Sequence, residues 1–209
     1  MFGSVKSYFY LYIVNQKENT MEKKIGKYLI KVINDDDPFD PRGDDNLGTM
    51  VCFHPRHNLG DKHNFNDGYD FNEYWKSNKK KIGVILPLYL YDHSGITMNT
   101  TGFSCPWDSG KVGYIFITKE KMREEYGYKR VSKKLIKRVT EYLKSEVETY
   151  DDYLTGNMYG FTIEDTETGE EVENSFGYCG EENCLKEAES MVKYMMKSDE
   201  HGQLELKLE

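Results

Sequence analysis

Three of the chain's five histidines, His54, His57 and His63, lie in one short segment together with Asp61. Imidazole nitrogens and carboxylate oxygens are the ligands that zinc, manganese and iron take in proteins. The spacing matches no HExxH motif, in which a helix aligns two histidines. These four residues are therefore a candidate metal site without a helical scaffold. The alternative is a structured loop in which the His and Asp side chains bond to backbone groups.

A second candidate segment, Asp92-His93-Ser94, places the three residue types of a hydrolase triad side by side. A triad needs groups that converge from separate segments, and the GxSxG nucleophile motif is absent. The pattern favours a polar strand end before a turn at Gly95. An arrangement in which Asp92 or His93 meets the histidine segment is left open.

The third candidate segment runs from 103 to 110 and contains Cys105 and Trp107. A catalytic cysteine needs a nearby base, and His54 or His93 could supply one. Nothing in the spacing brings them together, so structural packing is favoured. The sequence thus offers Asp92, His93 and Cys105 as candidate catalytic residues and Trp107 as a candidate binding residue.

Carboxylates are concentrated in two parts of the chain, one near residues 35–45 and one between 141 and 173, where eleven carboxylates face one lysine. Spaced carboxylates can stand in for phosphates and occupy a basic nucleic-acid groove on another protein. The alternative is a solvated surface that keeps the protein soluble. The candidate acidic binding residues are Asp35, Asp36, Asp37, Asp44, Asp45, Glu148, Asp151 and Asp152.

Composition narrows the class of protein. The net charge of −8 argues against a general nucleic-acid binder, because phosphate contacts need a basic face. Four cysteines without a CxxC pair predict neither a disulfide scaffold nor a zinc knuckle. We therefore expect a cytoplasmic protein. We also expect no cofactor and no membrane partner.

Hydrophobic periodicity predicts the fold class. Apolar residues recur every three or four positions after Ser132 and again from Cys184 to Met196, so each stretch predicts an amphipathic helix. The remaining chain predicts strands at 25–33, 49–54, 82–91, 96–101, 111–118, 159–164 and 171–176, and a short helix after Thr118. We predict a single α+β domain over residues 21–209, an antiparallel or mixed sheet packed by two main amphipathic helices.

Residues 1–20 are predicted to be a non-native N-terminal extension. The stretch from Lys17 to Met21 back-translates to a purine-rich bacterial ribosome-binding site before a start codon, which makes Met21 the predicted start. The apolar run from Tyr8 to Val14 is too short to span a membrane. The alternative is a genuine strand from Ser7 to Asn15.

Several long motifs carry a family resemblance. They are Asp45-Asn46-Leu47-Gly48-Thr49-Met50, Cys52-Phe53-His54 with Asn58-Leu59-Gly60-Asp61, the run from Leu88 to Ile96, and Cys105-Pro106-Trp107-Asp108-Ser109-Gly110. Over residues 35–180 the chain resembles a family of uncharacterised accessory proteins carried by phages and mobile elements of low-GC Gram-positive bacteria. The resemblance implies a protein that counters host defence, including CRISPR nucleases. It transfers no residue role.

Two functional hypotheses follow. The first is a non-enzymatic anti-defence protein, anti-CRISPR-like, which binds and inhibits a host nuclease or nucleic-acid-binding effector through the acidic surface, without direct contact to nucleic acid. The second is a small metal-dependent hydrolase or nuclease that uses the His/Asp cluster. The partner and the oligomeric state are left open.

Overall fold

The computed structural model describes the backbone of residues 11–15, 20–43 and 45–205 and the side chains of 20–43 and 45–199. The predicted α+β class is confirmed, because helices accompany two sheets whose strands all pair antiparallel. Contacts divide the chain into two compact units, Met1–Pro38 with Gly156–Glu209 (unit 1) and Phe39–Thr155 (unit 2).

Strands outnumber helices in the described part of the chain. The strands are β1 (Leu11–Asn15), β2 (Thr20–Ile25), β3 (Tyr28–Asn34), β4 (Thr49–Cys52), β5 (Ile82–Asp92), β6 (Ile96–Asn99), β7 (Ser109–Thr118), β8 (Met158–Asp165) and β9 (Glu170–Cys179). The helices are α1 (Gly68–Asn78), α2 (Lys119–Tyr126), α3 (Lys133–Thr155) and α4 (Glu181–Glu205).

Unit 1 is a five-stranded sheet in the order β1-β2-β3-β8-β9, with α4 against it. Ile30 of β3, Phe161 of β8 and Val192 of α4 are fully buried in the same core cluster. The strand predicted from residue 25 to 33 is interrupted, because Gly26 has a φ of 62° and turns the chain between β2 and β3. The helix predicted from Cys184 to Met196 is longer in the structure, since α4 begins at Glu181 and continues through Gly202 to Glu205.

Unit 2 is a four-stranded sheet in the order β4-β7-β5-β6, and α3 contacts β5 and β6. The buried stripe of α3 matches the predicted periodicity at Leu135, Val139, Leu143 and Val147. The short helix predicted after Thr118 is confirmed as α2. The Thr118 hydroxyl accepts the N–H of Lys121 at its start, and Gly127 ends it with a φ of 64°.

Pro87 lies inside β5, a strand with neighbours on both sides, although proline cannot donate to a sheet ladder. The register explains this, because β6 pairs only with residues 89–92 of β5. Pro87 therefore lies beyond the end of β6. On the β6 side of β5, no strand residue is paired with position 87 and none needs a hydrogen bond from it.

The prediction about residues 1–20 falls largely outside the described residues, which exclude 1–10 and 16–19. Of this segment the structure describes residues 11–15, which form β1, and Thr20. Strand β1 pairs antiparallel with β2, from Leu11 opposite Lys24 to Asn15 opposite Thr20. None of the helices in the described part of the chain is long and apolar enough to cross a membrane.

A charged network in unit 1 gives a pH prediction. The Lys27 ammonium lies 2.9 Å from Asp165 Oδ2 and 3.2 Å from Asp199 Oδ2. The hydrogen bond from Lys27 lowers the pKa of Asp165 below its usual 3.8, and the backbone N–H of Glu167 lowers it further. A carboxyl whose folded-state pKa is depressed stabilises the fold above its unfolded pKa and loses that effect as the pH falls through the folded pKa.

We therefore expect Asp165→Asn to be less stable than the wild type at pH 7, with the difference shrinking as the pH falls below 3.8. Urea unfolding of both proteins from pH 7 to pH 2.5 measures this. A difference that stays constant over the range would contradict the account.

Candidate metal centre

Two segments distant in sequence meet beside the start of β7. The chain leaving β4 is held there by the Phe53 N–H, which donates to Val112 O at 2.7 Å. The end of β5 is held by the Asp92 N–H, which donates to Asp108 O at 2.8 Å. Because β7 lies between β4 and β5, its first residues bring the histidine segment next to the end of β5.

A cluster of His54, His57 and Asp92 results, which we call the His/Asp cluster. Asp92 Oδ2 lies 3.2 Å from His57 Nε2 and 3.6 Å from His54 Nε2. The two imidazole rings stack with their centroids 5.0 Å apart and their planes at 16°. One ligand atom from each of the three residues lies within 4.8 Å of the other two, so the group could hold a metal ion.

The loop itself explains why an i, i+3 pair of histidines converges without a helix. His54 Nδ1 accepts the backbone N–H of His57 at 3.2 Å and that of Arg56 at 3.4 Å. These bonds close a tight turn, which places the second ring over the first. Because Nδ1 accepts, the proton of neutral His54 is on Nε2, where it points toward Asp92.

Charges around the cluster favour an ionised aspartate and a neutral His54. Burial raises the pKa of Asp92, but the Arg56 guanidinium and His57 lower it more, so the net pKa is below its usual value. Arg56 Nη2 donates to Asp92 Oδ2 at 2.6 Å. Burial lowers the pKa of His54, and the neighbouring His57 lowers it further. Neutral imidazole and ionised carboxylate are the states that bind metals.

The other two predicted metal ligands, Asp61 and His63, do not join the cluster. Asp61 accepts the Met50 N–H at 2.8 Å and two bonds from Arg42. His63 Nε2 lies 3.0 Å from Cys52 O, and its ring lies between those of Phe53 and Phe65. Of the four candidate ligands the cluster therefore contains His54 and His57, and Asp92 supplies its carboxylate.

The Arg42 side chain forms a charged network in unit 2 that is separate from the His/Asp cluster. The sequence gives no signal for it. The side chain is 2% exposed and bonds Asp61 through Nε at 2.7 Å and Nη2 at 2.8 Å. It also reaches Glu146 Oε2 at 3.3 Å, and Glu146 Oε1 accepts the Leu47 N–H at 2.7 Å. Burial lowers the pKa of Arg42, but Asp61 and Glu146 outweigh it and raise the net value, so the network stays ionic. Its role is to fix the segments on both sides of β4.

The three candidate catalytic residues fall into two groups, with Asp92 in one and with His93 and Cys105 beside Asp108 in the other. Asp92 belongs to the His/Asp cluster, whereas His93 Nδ1 lies 3.5 Å from Asp108 Oδ2. Cys105 Sγ donates to the same Asp108 carboxylate oxygen at 3.6 Å. The side chains of Asp92 and His93 contact different partners, His57 and Asp108, and Ser94, with a φ of 55°, belongs to the turn into β6.

Trp107 is 91% exposed, so the structural packing favoured for this segment does not hold for its tryptophan. It lines an open cleft of about 340 Å³ together with His54, Arg56 and Asp92. The one predicted binding residue with an aromatic ring therefore lies at the same cleft as the His/Asp cluster.

The predicted acidic binding residues fall in different parts of the structure. Asp35, Asp36 and Asp37 lie in unit 1, whereas Asp45, Glu148, Asp151 and Asp152 lie in unit 2, and Asp44 is outside the described residues. Asp151 has an internal role, because its Oδ1 accepts the Met98 N–H at 2.6 Å and the Thr97 hydroxyl at 2.8 Å.

Comparison with known proteins gives no family model, curated protein or solved structure that matches the chain. The phage-family resemblance and the anti-defence role that it implies therefore stay predictions.

Proposed function

We propose that unit 2 is a small metal-dependent hydrolase whose divalent ion is bound by His54, His57 and Asp92. The observation that carries the proposal is that one ligand atom from each of the three residues lies within 4.8 Å of the other two. Around a four-coordinate ion with bonds of roughly 2.0–2.1 Å, neighbouring ligand atoms lie roughly 3.3–3.5 Å apart. The distances from Asp92 Oδ2 to the two imidazole nitrogens, 3.2 and 3.6 Å, bracket that value.

The ligand set also fits hydrolytic chemistry. Two imidazoles and one carboxylate leave a coordination position open, and catalytic zinc sites use such a position to bind and acidify a water molecule. Arg56, with its side chain 68% exposed, lies beside Asp92 and can bind an anionic substrate oxygen. The cleft with Trp107 adjoins both. The expected substrate is therefore an ester with a negatively charged group, such as a phosphoester.

Metal binding requires a local rearrangement of the loop. Ligation by His54 Nε2 moves the imidazole proton to Nδ1, and Nδ1 then no longer accepts the N–H groups of Arg56 and His57. We expect the backbone amide signals of Arg56 and His57 to shift in NMR spectra when the ion binds.

The binding experiment is a titration of metal-free protein with Co²⁺, because the visible absorption of this ion reports its coordination. We expect one ion per chain, and binding weakened by tenfold or more in His57→Ala and in Asp92→Asn. His93→Ala is the matched control, since His93 is the next residue to Asp92 but lies outside the cluster. An equal loss of Co²⁺ affinity in the His93→Ala control, or unchanged affinity in both test variants, would contradict the proposal.

The inhibitor hypothesis stays a prediction of the sequence. Several carboxylates that motivated it are used internally, because Glu146 and Asp151 accept backbone N–H groups in unit 2. In unit 1, Glu164 pairs with Lys31 and Asp165 pairs with Lys27. Support for inhibition would be saturable, salt-sensitive binding to a basic bacterial nuclease by the metal-site variant Asp92→Asn.

A further inference from the structure

One stretch of this acidic chain is strongly basic. Residues 129–140 contain six basic side chains and no carboxylate, although the whole chain has a net charge of −8. The six residues, which we call the basic patch, are Lys129, Arg130, Lys133, Lys134, Lys137 and Arg138.

The basic patch lies in the connection between α2 and α3 and on the first turns of α3. All six residues are exposed. No ion pair joins any of them to a carboxylate among the described residues. Elsewhere in the structure exposed lysines do pair, as Lys76 does with Glu73 at 2.7 Å. The basic patch is therefore positive charge without an ion-pair partner, with four of its six side chains on α3 and two just before it.

Three residues of the basic patch line an open cavity of about 310 Å³. Its lining residues are Tyr128, Arg130, Ser132, Lys134, Leu135 and Arg138. Arginine side chains bind phosphate with two parallel N–H groups, and lysine adds a point charge. Tyr128 is 52% exposed, so its ring is accessible to a base.

We propose that the basic patch binds single-stranded nucleic acid, with a phosphate in the Arg130–Lys134–Arg138 cavity and a base against Tyr128. Lys134 and Arg138 lie four residues apart on α3, so they share one face and are separated by about one turn of 5.4 Å. Arg130 precedes the helix and lines the same cavity, so the three side chains offer contacts to neighbouring phosphates. An exposed aromatic ring at that strip favours unstacked bases over a duplex, in which the bases are covered.

The basic patch is separate from the His/Asp cluster. Asp151, near the other end of α3, bonds the Thr97 hydroxyl in β6, and β6 pairs Ile96 with Asp92. Lys134 lies about 25 Å from Asp151 along the helix, at 1.5 Å of rise per residue. Nucleic-acid binding by the basic patch can therefore be tested independently of metal binding by the His/Asp cluster.

The test is fluorescence anisotropy of a labelled single-stranded 15-nucleotide DNA titrated with the full chain at several salt concentrations. We expect saturable binding that the triple variant Arg130→Gln, Lys134→Gln, Arg138→Gln weakens by at least about tenfold. The slope of log K against log salt should fall in magnitude by about 2, since each phosphate contact on a single strand contributes roughly 0.7. The matched control replaces the run Lys79, Lys80 and Lys81 with glutamine, which removes the same charge from another exposed part of unit 2.

A second pair of variants tests the base contact. Tyr128→Leu should weaken binding at least about fivefold, because stacking on one aromatic ring contributes roughly 1–3 kcal/mol, and Tyr128→Phe should retain it. Arg138 lies over the Tyr126 ring at 4.9 Å, so the double variant Arg130→Gln, Lys134→Gln replaces the triple one if the latter is unfolded. The proposal is overturned by equal losses in patch and control variants, by tighter binding of a duplex of the same length, or by equal affinity for a polyglutamate peptide.

Discussion

Replacing Arg42 with alanine is expected to lower the free energy of unfolding by about 3–5 kcal/mol, because the change leaves buried carboxylates without their counter-ion. The Arg42 side chain is 2% exposed and the Glu146 side chain 8%. Loss of the arginine would leave Glu146 and Asp61 facing each other in a poorly solvated site. Urea unfolding at pH 7 measures the effect.

Arg56→Ala is the matched control for this prediction. Arg56 also pairs with an aspartate, at 2.6 Å from Asp92 Oδ2, but its side chain is 68% exposed. Exposed ion pairs contribute about 0–1 kcal/mol. If Arg42→Ala were as stable as Arg56→Ala, the buried network would not be what fixes the segments around β4.

Phe71→Ala is expected to destabilise the protein by about 3–5 kcal/mol, because it opens a cavity under the loop that carries the histidines. Phe71 of α1 is fully buried. Its ring centroid lies 5.1 Å from that of Phe65, which is edge-on, and 5.5 Å from that of Phe116. Phe65 in turn contacts the His63 ring at 5.9 Å. The substitution should therefore loosen the connection from β4 to α1 as well as the core.

The control for this second prediction lies in the same helix. Tyr69 is 72% exposed, so Tyr69→Ala should change stability by less than about 0.5 kcal/mol. Thermal and urea unfolding of both variants give the comparison. Similar losses at Phe71 and Tyr69 would contradict the assignment of Phe71 as the anchor of this loop.

Local signals in the sequence were sufficient for much of the fold. The stripe of α3 was readable because each buried residue recurs at helical spacing, and α2 was bounded by the Thr118 cap and by Gly127. The hairpin of β8 and β9 was readable from its turn ending in Gly169, which has a φ of 75°. These features depend on residues within a few positions of one another.

The candidate site was readable only in part, because its geometry depends on strand order. His54 and His57 were identified from their density, but their carboxylate partner is Asp92, which becomes a neighbour only because β7 lies between β4 and β5. Asp61 was also named as a candidate ligand, whereas in the structure it bonds Arg42, whose burial gives no signal in the sequence. Net charge was equally misleading, because a value for the whole chain conceals the basic patch at 129–138.

The most direct test of the metal assignment is X-ray absorption spectroscopy of the Co²⁺- or Zn²⁺-loaded full-length chain. If His54, His57 and Asp92 bind the ion, the spectrum will contain the scattering of two imidazoles with the remaining ligands oxygen, and one imidazole will disappear in His57→Ala. A bound ion whose spectrum shows no imidazole, or one that is unchanged by His57→Ala, would contradict the assignment.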